Sequence, residues 1–117
     1  MTNTSKLLSK LLHLLEDRLK QTGAWQVAQP DAAAFNSSAP FCVDTMSLEQ
    51  WLRYLFIPRM RALVDADKGL PPDCAITEQI EMVFTCKEKA RVMEVTLAID
   101  KLLTERKVPP ASLLKQG

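Results

Sequence analysis

The sequence is poor in metal ligands: one histidine, His13, and three scattered cysteines, Cys42, Cys74 and Cys86, with no Cys-x-x-Cys pair. Bound zinc or iron needs several convergent thiolate or imidazole ligands, so neither a metal nor another cofactor is expected. A Cys–His nucleophile pair would have to join His13 to one distant cysteine. The odd, separated thiols read instead as small hydrophobes in a reducing compartment. Glycine is scarce too, and Gly23, Gly69 and Gly117 stand far apart, which excludes a phosphate-cradling loop. Charge of one sign does not dominate: 15 Lys and Arg against 14 Asp and Glu leave +1, so no overall field draws the chain to nucleic acid or anionic lipid. No apolar run approaches the ~20 residues of a membrane span. The polar opening Thr2, Asn3, Thr4 and Ser5 is no signal peptide. Together these predict a cytoplasmic protein without membrane contact.

What is present is helical. The 117 residues, 47% hydrophobic and 25% charged, suit one globular domain. Leu8, Leu11, Leu12, Leu15 and Leu19 recur at helical spacing from about Asn3 to Thr22, and Gly23 supplies a left-handed stop. Leu7 and Leu14 widen the apolar arc to roughly 160°, enough to meet two neighbours. A second helix opens with a capping box, Ser47 and Gln50, flanked by Met46 and Trp51 at hydrophobic-staple positions. Its stripe Leu48, Trp51, Leu52, Leu55, Phe56, Met60, Leu63 and Val64 keeps phase across Pro58, predicting one kinked helix that ends at Gly69, Pro71 and Pro72. Ile76, Ile80, Val83 and Phe84 mark a third helix, capped by Asp73 or Thr77. A second capping box, Thr85 and Glu88, starts a fourth near Cys86, with Val92, Val95, Ile99, Leu102 and Leu103 as its stripe.

Residues 24–46 break every periodicity, yet Trp25, Phe35, Phe41 and Val43 are apolar for so long a loop. Pro30 and Pro40 forbid a regular helix, although Asp31 could cap a short turn over Ala32–Ala34. Such aromatic residues pin a loop to a core. The expected architecture is all-α: a small antiparallel four-helix bundle with one long ordered crossing loop and a Pro-kinked second helix. It forms a single domain over residues 1–107, followed by a frayed tail over 108–117.

Few residues could carry chemistry. Asp44 lies in the aromatic loop just before a helix N-terminus, where an ionised acid is favoured. It is the one weak catalytic candidate, as a buried nucleophile or ligand-binding acid; loop organisation with Thr45 is the simpler role. Arg53, Arg59 and Arg61 with Trp51 and Tyr54 invite an RNA reading, but at 100° per residue the arginines spread around the helix. Lys87, Lys89 and Arg91 open the fourth helix, an end unfavourable for cations, which hints at an anionic partner. Trp25, Phe41 and Trp51 could also converge on a small-molecule pocket.

The run from Phe35 through Asn36, Pro40-Phe41-Cys42-Val43-Asp44-Thr45-Met46, Gln50-Trp51-Leu52 and Phe56-Ile57-Pro58-Arg59-Met60 resembles the YqcC-like family of small bacterial proteins. The resemblance extends to Trp25-Gln26, Leu70-Pro71, Cys74-Ala75-Ile76 and Ile99-Asp100; Tyr54 stands where relatives tend to carry a second Trp. It implies an all-helical cytoplasmic protein, in a family sometimes labelled as a tRNA pseudouridine synthase. Such enzymes set a catalytic aspartate in a much larger mixed α/β domain. The expectation for this chain is therefore a non-enzymatic protein-interaction module, with an accessory of that synthase, or the synthase itself, as the alternative. The expected interaction surface is Phe35, Asn36, Pro40, Phe41, Asp44, Thr45, Trp51, Tyr54, Pro58 and Arg59. The partner would be a protein, the synthase among the candidates, rather than tRNA directly, and the chain itself a monomer or homodimer.

Overall fold

The leucine arc of the first helix decides how the chain packs. In the computed structural model, which describes residues 3–23, 25–66, 75–84 and 89–114, α1 spans Asn3–Thr22 and Gly23 follows it at φ +83°. Leu8, Leu11, Leu12 and Leu15 are fully buried. Their wide arc meets two neighbours, as its width requires: α5 (Lys89–Glu105) on one side and α3 (Ile57–Asp65) on the other. From α5, Val92, Val95, Ile99, Leu102 and Leu103 complete the core. Each such side chain contributes about 1.5–3 kcal/mol on burial.

All the described secondary structure is helical. Besides α1, α3 and α5 there are α2 (Leu48–Trp51), α4 (Thr77–Val83) and α6 (Ala111–Leu114). The thinnest dimension, 20 Å, is about two helix diameters. No described helix is long and apolar enough to cross a membrane.

The Ser47 capping box forms as its spacing predicts. The Gln50 N–H donates to Ser47 Oγ at 3.1 Å, and the Ser47 N–H donates to Gln50 Oε1 at 2.9 Å. From α2 the chain passes without a break through a π-helical turn, Leu52–Phe56, into α3. The Ile57 N–H reaches back to the Leu52 carbonyl, one residue farther than in an α-helix. Pro58 follows directly; having no N–H, it leaves the Tyr54 carbonyl without its α-helical donor, and a π turn is a common accommodation.

Helix α4 is not capped by the Thr77 side chain in the expected way, since the Thr77 hydroxyl itself donates to a carboxylate. Asp73 lies outside the described residues, and the capping carboxylate comes from α5. Asp100 Oδ1 accepts from the Ile76 N–H at 3.1 Å, and Oδ2 accepts from the Thr77 N–H at 3.0 Å and the Thr77 hydroxyl at 2.6 Å. Thr77 and Thr96 hydroxyls meet at 3.0 Å. A carboxylate supplied across the core is invisible to local capping rules. The expected signals at Gly69, Pro71, Pro72, Cys74, Thr85, Cys86, Lys87 and Glu88 also fall outside the described residues.

The C-terminal end differs from the expected frayed tail. Helix α5 stops at Arg106, held at φ +57°, with the Lys107 N–H on the Lys101 carbonyl at 3.3 Å. The chain then turns at Pro110 into α6, and Leu113 enters the core at 3% exposure. Leu113, with Leu114 packed beside it, docks a segment too short to show helical periodicity.

Candidate functional site

The long loop is fastened onto α2 by a row of side chains one helical turn apart. Gln50 Nε2 donates to the Ala28 carbonyl at 2.9 Å, the Arg53 guanidinium to the Trp25 carbonyl, and the Tyr54 hydroxyl to the Val27 carbonyl at 2.9 Å. The Arg53 guanidinium also covers the Trp25 ring at 4.7 Å and the Tyr54 ring at 5.0 Å. Beyond Pro30 the loop makes two short 3₁₀ turns, Ala32–Asn36 and Pro40–Cys42. Asp31 sits at the first turn's N-cap, but its backbone carbonyl accepts from the Ala34 N–H at 2.9 Å and its side chain caps nothing.

The two turns are knotted together by short polar side chains. Ser37 Oγ donates to Asp44 Oδ1 and accepts from the Ala39 N–H at 3.0 Å, while Thr45 Oγ1 donates to the Ala34 carbonyl at 2.7 Å. Asp44 is thus an exposed acid tied to a serine. It is not the buried nucleophile considered from the sequence, and Ser47, not Asp44, caps the following helix. Phe41 and Cys42 are both left-handed, at φ +57° and +50°. That conformation costs a non-glycine residue about 1–2 kcal/mol, and the knot holds it.

This backbone aims Phe41 at α2. Its ring meets Trp51 edge-on, with centroids 4.9 Å apart at 77°, and Trp51 stacks on Phe56 at 5.2 Å and 28°. The aromatic row divides a groove between the α2–α3 run and α4, whose main packing is against α5. On one side of Phe41, Trp51, Leu55, Phe56, Arg59, Met60, Ala75 and Ile76 line a hollow of about 260 Å³. On the other, Val43, Met46, Ser47, Leu48, Glu49, Gln79 and Val83 line one of about 190 Å³.

The residues expected to share one surface therefore separate. Phe41, Trp51 and Arg59 share the larger hollow, and Pro58 is exposed beside Arg59. Asp44 and Thr45 belong to the loop knot, near Phe35, Asn36 and Pro40 in the same turns. Tyr54 is spent on the loop's own backbone, and Trp25 lies under Arg53, away from the hollow. The arginines separate in the same way. Arg53 holds Trp25, and Arg61 Nη1 pairs with Glu16 Oε1 at 2.9 Å. Arg59 is exposed and makes no hydrogen bond or ion pair with the described residues. Burial alone would raise the pKa of Glu16, but hydrogen bonds from Lys20 and Arg61 outweigh it and hold the carboxyl below its usual 4.5.

Of the cations that open the fourth helix, Lys89 has an internal contact: it donates to the Glu81 carbonyl at the far end of α4, at 3.3 Å. His13 is an exposed residue 3.6 Å from Asp17, and no group of three His, Cys, Asp or Glu able to hold a metal occurs among the described residues. Sequence reasoning missed the α4 wall of the groove, Gln79 and Val83. Val83 falls in the apolar stripe of the third helix, but it is 41% exposed. Neither the capping role of Asp100 nor the burial of Arg18 shows in the sequence pattern. Arg18, 2% exposed on the leucine helix, donates at 2.6 Å both to the Arg91 carbonyl and to Glu94 Oε1.

Comparison with known proteins places this arrangement. The family model described as "DUF446: tRNA pseudouridine synthase C" matches residues 7–102. An uncharacterised protein of Haemophilus influenzae is 46% identical over 70 residues, 60% of this chain and 66% of that one. The Escherichia coli protein YqcC, also uncharacterised, is 33% identical over 91 residues, 78% of this chain and 83% of the other. The solution NMR structure of YqcC superposes with a TM-score of 0.77 at 29% identity, covering 91% of this chain and 92% of that one. A Pectobacterium carotovorum protein named tRNA pseudouridine synthase C is 47% identical over 57 residues, 49% of this chain but 15% of that longer protein.

Proposed function

We propose, from the premise that this chain belongs to the YqcC-like family of bacterial proteins covered by that model, that it is a non-enzymatic interaction module. It binds a protein through the face built from the Phe41 loop and the α2–α3 run. The single observation that carries this is the contrast among the arginines: Arg53 and Arg61 are engaged internally, while Arg59, unpaired among the described residues, borders an aromatic-walled hollow. The platform is taken as an antiparallel four-helix bundle bent at Pro58, acting in the cytoplasm as a monomer or homodimer without a cofactor.

The Pectobacterium match favours a tRNA pseudouridine synthase as the partner. There, a segment like this one occupies a small share of a longer protein bearing that name, which suits an appended binding unit better than a catalytic one. Asp44, exposed and held by Ser37, lacks the sheltered setting of a catalytic acid. The test is co-purification of the tagged chain with the synthase of its own organism, using Phe41→Ala and Arg59→Ala with helix content followed by circular dichroism. Both substitutions should weaken capture at unchanged helicity. Capture of no synthase and no other protein at near-native concentrations would sink the proposal. Uridine isomerisation by the purified chain alone would replace it with the enzymatic reading.

A further inference from the structure

The two hollows beside Phe41 differ in the charge at their edges. Arg59 borders the larger one and Glu49 the smaller, and neither has an ion pair among the described residues. They sit ten positions apart on one helical run, about 15 Å at 1.5 Å per residue. That distance is about five extended residues. Each hollow, at about 260 and 190 Å³, falls below the ~300 Å³ at which small-molecule sites begin, so each suits one anchoring side chain better than a whole metabolite.

We infer that the groove takes a short segment of a partner protein, with one large apolar side chain on each side of Phe41, a carboxylate against Arg59 and a cation against Glu49. This rests on the interaction reading above and adds the chemistry and polarity of what is bound. Apolar anchors supply affinity, and the opposed rim charges choose the direction in which the segment lies. Phe41 separates the anchors and fixes their spacing. Tyr54 and Arg53, tied to the loop's own carbonyls, play no part.

The test is panning of a random-peptide phage library against the intact chain, followed by fluorescence anisotropy with the selected peptides made synthetically. Selected sequences should share two large apolar residues between a basic and an acidic end. Arg59→Glu should weaken them about tenfold, the scale of a close charge pair, and replacing the peptide's acid by lysine should restore binding. Glu49→Lys should act in the same way on the basic end. Enrichment of sequences without that order of charges, no enrichment, indifference to both reversals, or self-association of the chain through this groove would each overturn the inference. If the synthase is still captured by the Arg59→Glu variant, the groove assignment and the part given to Arg59 in the binding face fall, while the binding of a protein as such stands. Loss of capture by the wild type ends the interaction reading itself.

Discussion

Where α1 lies on α5, leucines and valines meet with no exposed surface; where the 25–47 segment lies on α2, single polar groups do the fastening. The seam is specified redundantly, since many side chains share one periodic stripe and each adds burial to the others. The loop is specified residue by residue: Gln50, Arg53 and Tyr54 each hold one carbonyl, and Ser37 and Thr45 each close one turn. A surface built that way can leave aromatic side chains half-covered without endangering the core. This explains why the candidate binding face lies on the loop side of the molecule.

That contrast can be broken first where it predicts most. Leu15→Ala, at a fully buried position, should cost about 3 kcal/mol in urea unfolding. A loss below 1 kcal/mol would mean the seam collapses around the gap and is not close-packed. Next comes Asp100→Ala, which strips the donors of Ile76 and Thr77 of their acceptor and should cost about 2 kcal/mol. Amide hydrogen exchange should then quicken in α4 ahead of α1; uniform quickening would show that α4 has no separate anchorage.

Arg53→Ala should be milder, about 1 kcal/mol, from one hydrogen bond and a cation–π contact. Its signature is local: protease cleavage within 25–47 should accelerate, and the urea midpoint should move less than in Leu15→Ala. A global loss as large as that of Leu15→Ala would erase the distinction between the two regions. The smallest effect belongs to Glu16. Its carboxyl titrates below the usual 4.5 in the folded state, so its contribution is complete above that value and is lost as pH falls through the lower folded one. The stability gap between wild type and Glu16→Gln should therefore narrow in acid, and a gap that widens there would reverse the assignment.

The same division explains what was legible in the sequence. Helix α1 could be read from end to end, because its leucines repeat and Gly23 stops it, and the Ser47 capping box obeys a strictly local rule. Membership of the family was likewise readable from the Phe41–Met60 run. The Asp100 cap was hidden, since the two partners are 24 residues apart and no local pattern links them. So was the docking of Leu113, in a short Leu113-Leu114 pair after two prolines. The candidate face was read as one surface because its residues are neighbours in sequence; in three dimensions Tyr54 and Arg53 turn to the loop while Phe41, Trp51 and Arg59 face the groove. Its far wall, on α4, combines Val83, which the periodicity assigns to the core, with the polar Gln79, which no pattern marks.

The groove beside Phe41 is, on this reading, where another protein meets the chain. The direct measurement is amide chemical-shift mapping of the isotope-labelled chain on addition of its organism's tRNA pseudouridine synthase. Changes concentrated in residues 40–60 and 75–83, and abolished by Phe41→Ala, are predicted. Changes confined to the outer surfaces of α1 and α5, or none at saturating synthase, would contradict it.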